Sequence, residues 1–171
     1  MCIIIDTNTL ANVFDKNSAG HDEFKPVYDW IMVGKGKVVY GGTKYLSEIG
    51  KHLSVFAELN RAKKAVNINK QKVDDRQVVV SDMIQHKDFD DQHLVALLLE
   101  SQCKLICSLD KRASPYFRHN EFFSPANKKP KIYSNKGNKD LLSDRNIAEI
   151  CKPCANTTNL QKGMLSNIKL T

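Results

Sequence analysis

The amino-acid sequence predicts an α/β protein built on a mostly parallel central sheet. Short apolar runs without alternation, such as Ile3-Ile4-Ile5 and Leu105-Ile106-Cys107, are typical of strands buried on both faces. Segments with apolar residues at helical spacing separate these runs, and strands that alternate with helices favour a parallel sheet. With 171 residues the chain is long enough for one domain with a sizeable core and an appendage.

The first half of the chain is predicted to contain two strands and three helices. Apolar spacing and bounding glycines place them, in order, as strand 1 at 3–5, a short helix at 9–14, a helix over 22–33, strand 2 at 37–40 and a long helix over about 43–60. The basic stretch 61–72 is weakly patterned, and we expect a loop there that includes a short strand.

The second half contains the clearest strand–helix signal. Asp74-Asp75 is predicted to cap a helix that runs to Met83, and Asp90-Asp91 to begin a helix that is apolar almost all round. The elements expected after it are a buried strand at 104–108, irregular chain over 115–130, an edge strand at 131–134, a turn at 135–138 and a polar stretch with small helical patches over 139–171.

Charge is distributed unevenly along the chain. Residues 1–110 contain 14 Lys and Arg against 15 Asp and Glu, whereas residues 111–171 contain 12 against 4, so the positive excess lies in the last third. A basic segment joined to a domain with clustered acids is typical of a protein that holds a polyanion. A solvated tail that only confers solubility is the alternative.

Hydropathy and cysteine content favour a cytoplasmic protein. No apolar run approaches the roughly 20 residues that a membrane span needs, and the N-terminus lacks the pattern of a signal peptide. The five cysteines are an odd number, and we expect them to be reduced. Cys151-Lys152-Pro153-Cys154 has no second Cys or His pair nearby for zinc, and it lies outside the strand-to-helix context of a thioredoxin-like motif.

Four carboxylates occupy positions where α/β proteins commonly do chemistry. Asp6 and Asp110 each follow a buried strand, Asp91 begins a helix, and Glu48 lies on the long helix. The carboxyl ends of parallel strands meet at one edge of a sheet, which is where ligands bind. Clustered carboxylates repel one another unless a cation such as Mg²⁺ neutralises them.

Each of these acids also has a purely structural interpretation. An Asp after a strand is often a helix or turn cap, and a Glu at the rim of an apolar stripe is often a solvated flank. Among the neighbours Asp88, Asp90 and Asp91, spacing to the apolar helix favours Asp91 as the functional acid, with Asp90 as the N-cap. His93 is either a phosphate ligand or, more commonly for one His in an apolar helix, a packed core residue.

These motifs together resemble those of the PIN-domain ribonucleases. The matching pieces are Ile3-Ile4-Ile5-Asp6-Thr7-Asn8, Glu48 in the third helix, Asp91-Gln92-His93-Leu94-Val95-Ala96-Leu97 and Ile106-Cys107-Ser108-Leu109-Asp110. The resemblance covers residues 1–134, a PIN-like nuclease domain, and leaves 135–171 as a basic C-terminal extension of unknown role. It implies a three-layer α/β/α sandwich with a central mostly parallel sheet.

The resemblance also implies a function and a site. By it, Asp6, Glu48, Asp91 and Asp110 form the catalytic acidic site, Asp6, Asp91 and Asp110 hold Mg²⁺ or Mn²⁺, and Asn8 and Ser108 support them. The predicted function is a metal-dependent endoribonuclease, and many relatives of this kind are toxins held in check by an antitoxin and pair into dimers.

The basic residues after Asp110 are the candidates for RNA contact, namely Lys111, Arg112, Arg118 and His119. The alternative function is a catalytically inactive PIN-like module that binds RNA or a protein partner, in which the basic segment 111–171 makes the contact.

Overall fold

The computed structural model describes residues 2–166 and 168, and its centre is a five-stranded sheet. The strands are β1 (Cys2–Ile5), β2 (Lys37–Gly41), β3 (Ala65–Ile68), β4 (Leu105–Cys107) and β5 (Lys131–Tyr133). Their order is β3-β2-β1-β4-β5, and every neighbouring pair is parallel. The predicted α/β three-layer fold is confirmed.

α-Helices connect β1 to β2, β2 to β3 and β3 to β4, whereas the crossover from β4 to β5 contains two short 3₁₀ turns, Tyr116–Arg118 and Ala126–Lys128. The α-helices are α1 (Leu10–Phe14), α2 (His21–Met32), α3 (Thr43–Glu48), α4 (Leu53–Arg61), α5 (Lys70–Met83), α6 (Gln92–Ser101) and α7 (Asn159–Leu165). Within the described part of the chain, none of the helices has the length and apolar character to cross a bilayer.

The core explains why β1 and α6 have such uniform apolar sequences. Each residue of β1 is fully buried, because the strand lies in the middle of the sheet with helices over it. Helix α6 is buried from His93 to Leu98 and packs against α5. The lack of alternation in both segments therefore reports burial on every side.

The predicted long helix over 43–60 is wrong. The chain leaves the helical conformation at Ile49, makes a 3₁₀ turn over Gly50–His52 and resumes as α4. Gly50 lies in this break, where the high conformational entropy of glycine disfavours a continuous helix. Glu48 is consequently the last residue of a short helix and not the middle of a long one.

The predicted cap at Asp74-Asp75 is also wrong, because α5 begins four residues earlier in a segment expected to be a loop. Asn69 is the N-cap, and its side chain accepts a hydrogen bond from Lys72 N. Asp74 lies inside α5, and its carboxylate accepts hydrogen bonds from the backbone N and hydroxyl of Thr43. Asp74 thus caps the first turn of α3 from a different helix.

The all-parallel sheet has two chemically different edges. We call the edge where the strands begin, near Cys2, Lys64 and Lys104, the amino edge, and the edge where they end, near Asp6 and Ser108, the carboxyl edge. The C-terminal extension packs onto the amino edge: Thr157 N donates to Val33 O at 3.0 Å, and the side-chain amide of Gln161 donates to Ala62 O at 2.7 Å.

A disulfide joins this extension to the first strand. Cys2 pairs with Cys151, with their Cα atoms 6.1 Å apart and a separation of 149 positions in sequence. The expectation of five reduced thiols is therefore wrong for this pair, whereas Cys103, Cys107 and Cys154 carry thiols. Sequence spacing does not reveal two cysteines that only the folding of the whole chain brings together.

Candidate active site at the carboxyl edge

Asp6 is the most enclosed carboxylate at the carboxyl edge. It follows β1 directly, is 4% exposed, and its backbone N continues the ladder by donating to Cys107 O at 2.9 Å. Ser108 Oγ and Asn8 Nδ2 both donate to Asp6 Oδ2, at 2.6 and 2.8 Å. The structure thus brings both predicted supporting residues onto Asp6, and they hold its carboxylate in one orientation.

The pKa of Asp6 reflects these opposing surroundings. Burial raises it, and the negative charge of Asp110 adds to that effect, while the hydrogen bonds from Ser108 and Asn8 act against it. The net result is a raised pKa. A buried carboxylate with few neutralising contacts is a group that gains from a nearby cation.

Asp91 is an acid of this edge whose pKa is strongly raised. Its pKa is raised to about 7, first by burial and then by the negative charges of Asp6, Asp90, Asp110 and Glu48. The other three predicted acids therefore all lie within electrostatic range of Asp91, together with Asp90, which was predicted only as a cap. A strongly perturbed acid in such a cluster is a physical signal of a functional site.

The predicted N-cap role of Asp90 is wrong. Asp91 itself occupies the N-cap position of α6, and no side-chain hydrogen bond caps the helix. The carboxylate of Asp91 is thus left available at the carboxyl edge. Asp90 is adjacent to Asp91 in sequence, and this adjacency was a signal that it belongs to the acidic cluster. With three aspartates over 88–91, the sequence did not show which of them begins the helix.

Asp110 belongs to the cluster but is held by its own loop. The backbone N atoms of Arg112 and Ala113 donate to Oδ1, and Arg112 Nη2 contacts Oδ2 at 3.3 Å. Partial burial raises the pKa of Asp110, but these hydrogen bonds outweigh it, and the pKa is lowered. Asp110 therefore also caps the turn that follows it. This is the structural interpretation that the sequence had offered for an Asp after a strand.

Glu48 lies between a lysine and a buried histidine. Its Oε1 is 3.3 Å from Lys44 Nζ, and its Oε2 is 3.1 Å from His93 Nε2, without the alignment of a hydrogen bond. His93 is 1% exposed, and its pKa is lowered by burial, against the charge of Glu48. This environment fits the interpretation of His93 as a packed core residue. Through its contact with Glu48 Oε2, His93 helps to position Glu48.

Three features that the sequence did not reveal place α3, which ends in Glu48, beside β1. Tyr45 is fully buried, and its hydroxyl donates to Ile5 O at 2.6 Å, one residue before Asp6. Gly42 has a φ of +81°, and an added Cβ would lie 2.6 Å from Val73 Cγ1. Together with the Asp74 cap on Thr43, these features fix the start and the depth of the helix.

The predicted RNA-contacting cations are exposed on the loop that follows Asp110. Lys111 and Arg118 lie at the surface, and Arg112, also exposed, is paired with Asp110. His119 is half-buried and contacts the ring of Phe122. The structure thus places positive charge next to the acidic cluster but commits one of the three cations to an internal ion pair.

The acids do not form a closed metal cage. Across residues 2–166 and 168, no group of three or more His, Cys, Asp or Glu side chains is arranged to hold a metal ion. The donor chemistry nevertheless suits Mg²⁺ or Mn²⁺, which prefer carboxylate oxygen and commonly keep several waters around one or two carboxylates. Asp6 and Asp91 fit such an open and hydrated site. The pKa of each is raised because its carboxylate is partly removed from water and lies near other negative charges.

In comparisons with known proteins, no family model, no curated protein and no solved structure matched the chain.

Proposed function

We propose that this protein is a Mg²⁺- or Mn²⁺-dependent endoribonuclease that hydrolyses RNA phosphodiester bonds at the carboxyl edge. The proposal is supported above all by the electrostatic coupling of Asp91 to Asp6, Asp110 and Glu48, which raises the pKa of Asp91 to about 7. Concentrated negative charge of this kind is costly for a scaffold and useful for a metal-assisted hydrolase. The resemblance to PIN-domain ribonucleases gives the same four acids.

The residues of the chain have distinct tasks in this proposal. Asp6 and Asp91, with Asp110, would hold the metal, and Glu48 would complete the shell or orient the attacking water. Ser108 and Asn8 keep the Asp6 carboxylate in place through their hydrogen bonds to Oδ2. When bound, the divalent cation supplies an activated water and neutralises the charge that develops on the phosphate.

The substrate would enter along the exposed cations that follow Asp110. Lys111 and Arg118 would contact backbone phosphates, and a phosphate could also compete with Asp110 for Arg112, which is its present partner. Attack by water with departure of the 3′ oxygen leaves 5′-phosphate and 3′-hydroxyl ends.

Cleavage of a mixture of structured and single-stranded RNAs tests the proposal. We expect cleavage with Mn²⁺, none with EDTA, and a loss of at least about a thousandfold in Asp6→Asn and Asp91→Asn, because each removes a charge from the metal site. Asp140→Asn, an exposed acid of the extension, is the matched control and should cleave normally. Undiminished cleavage in both site variants would disprove the assignment.

A binding module without catalysis is the second candidate. It is favoured by the absence of a three-donor group within the described residues and by the pairing of Arg112 with Asp110. The two candidates differ in metal affinity. A nuclease should show a melting temperature that rises with Mn²⁺ in the wild type and not in Asp91→Asn, whereas a binding module should show no shift in either protein.

The resemblance extends to partners and location. On that basis alone we propose that the protein is cytoplasmic, is controlled by an antitoxin or other regulator, and pairs into a homodimer.

A further inference from the structure

The disulfide at the amino edge is sealed from solvent. Cys2 and Cys151 are each 0% exposed, within the core that β1 shares with the C-terminal extension. Thiol–disulfide exchange needs a thiolate to reach one of the two sulfur atoms. A thiol in solution cannot reach either sulfur of this disulfide while the protein stays folded.

Two of the three remaining cysteines are poor attacking groups. Cys103 and Cys107 are buried, and burial raises the pKa of each thiol to about 12. Cys103 lies close to the disulfide, since its Sγ donates to Cys2 O at 3.2 Å. It nevertheless stays protonated at neutral pH, and a protonated thiol is not the nucleophile in exchange.

Cys154 differs from both in position and exposure. It is half-buried, so solution thiols can reach it, and its Sγ donates to the backbone O of Cys151 at 3.1 Å. Its sulfur therefore lies against the backbone of Cys151, one of the two cysteines of the disulfide. The ammonium of Lys64, itself 2% exposed and bonded to Gly34 O, interacts electrostatically with Cys154 and places positive charge beside it.

We propose that Cys154 is a relay thiol through which the buried Cys2–Cys151 disulfide exchanges with thiols in solution. The Cys154 thiolate attacks Cys151 Sγ, a Cys151–Cys154 bond forms, and the Cys2–Cys151 bond breaks. Cys2 Sγ leaves with the electron pair and takes up a proton from water. No external oxidant or reductant is consumed in this step, because one disulfide replaces another.

The exchange changes which parts of the chain are tied together. The Cys2–Cys151 bond ties β1 to the extension, whereas a Cys151–Cys154 bond closes only a local loop. A solution dithiol can then reduce the local bond by attack on the accessible Cys154 sulfur. The C-x-x-C pair thereby makes a buried tether removable without unfolding, a role independent of the proposed nuclease.

Reduction kinetics of the folded full-length protein test the relay. With dithiothreitol as the probe, and with samples quenched in acid, unfolded and then alkylated, the Cys2 thiol should appear at least about tenfold more slowly in Cys154→Ser than in the wild type, because reduction must then wait for opening of the fold. Cys107→Ser is the matched control and should match the wild type. Equal rates in wild type and Cys154→Ser would overturn the proposal.

Disulfide mapping of the wild type provides a measurement that does not depend on how a variant folds. Protein held without reductant at about pH 8, quenched in acid, unfolded, alkylated at about pH 5 and digested in acid should yield both the Cys2–Cys151 and the Cys151–Cys154 linked peptides, with labelled Cys2 accompanying the second. Recovery of the Cys2–Cys151 link alone, with complete labelling of Cys154, would contradict exchange. Labelling of all five cysteines would contradict it as well.

Discussion

The two edges of the sheet use charged and reactive groups in opposite ways. At the amino edge, a disulfide joins Cys2 to Cys151, and the buried Lys64 donates to Gly34 O at 2.8 Å. At the carboxyl edge, Asp91 lies in a cluster of carboxylates that repel it. It is the N-cap residue of α6, but its side chain makes no capping hydrogen bond to that helix. The amino edge pairs these groups within the chain, whereas the carboxyl edge places Asp91 among like charges.

This difference indicates how stability and function are divided in the molecule. Both edges contain an ionisable group with a perturbed pKa: that of the buried Lys64 is lowered to about 8, and that of the half-buried Asp91 is raised to about 7, in both cases mainly by loss of solvation. Unneutralised charge destabilises a fold, and proteins commonly concentrate that cost at their active sites. We expect changes at the amino edge to weaken the protein, and neutralisation at the carboxyl edge to strengthen it.

Removal of the disulfide should have the largest effect on stability. Cys151→Ala is expected to lower the free energy of unfolding by about 2–5 kcal/mol, because the bond closes most of the chain into one loop and thereby restricts the unfolded state. Urea unfolding measures this, with fully reduced wild type as the control, which should approach the variant. A change below about 1 kcal/mol would show that the tether does not stabilise the amino edge.

Gly42→Ala tests the backbone that carries Glu48 at the carboxyl edge. We expect a loss of about 1–3 kcal/mol, because φ is +81° and the new Cβ would lie 2.6 Å from Val73 Cγ1. Gly50→Ala is the matched control, since nothing lies within 4 Å of its added Cβ, and it should change stability by no more than about 0.5 kcal/mol. Equal effects of the two substitutions would refute the role given to Gly42.

Asp91→Asn should have the smallest effect on stability and the opposite sign. The folded-state pKa of about 7 exceeds the ordinary value of 3.8, so the folded protein binds more protons than the unfolded chain between these values. Stability therefore falls as pH rises through that window and stays low above it. The variant, which cannot ionise, should be more stable by about 1 kcal/mol at pH 8 after allowance for partial exposure.

The pH dependence separates this gain from a general effect of the substitution. With EDTA present, the free energies of unfolding of Asp91→Asn and the wild type should differ at pH 8 and converge below about pH 3, where Asp91 is protonated in both the folded and the unfolded state. Asp140→Asn should follow the wild type at both pH values, because Asp140 is exposed. Loss of stability in Asp91→Asn at pH 8 would contradict the repulsion inferred for the carboxyl edge.

Local patterns of apolar residues were sufficient to predict the strands and the helix that are buried on all sides. The apolar runs of β1 and β4 and the apolar helix α6 were identified from sequence, since each is buried on all sides and its composition reports that directly. Helix α5 was not bounded correctly: it leaves Val78, Val79 and Met83 exposed, so its sequence lacks a clear apolar face. The break between α3 and α4 was missed because the apolar spacing continues across it.

The sequence by itself determined the alternation of strands and helices and the placement of Asp6 and Asp110 at strand ends. Both follow from short-range periodicity, and a parallel sheet then brings those ends to one edge. Only the tertiary structure decided the Cys2–Cys151 pairing, the capping of Thr43 by Asp74 and the partial burial of Asp91 among like charges. These contacts join residues far apart in sequence, so they depend on how the elements pack and not on any local pattern.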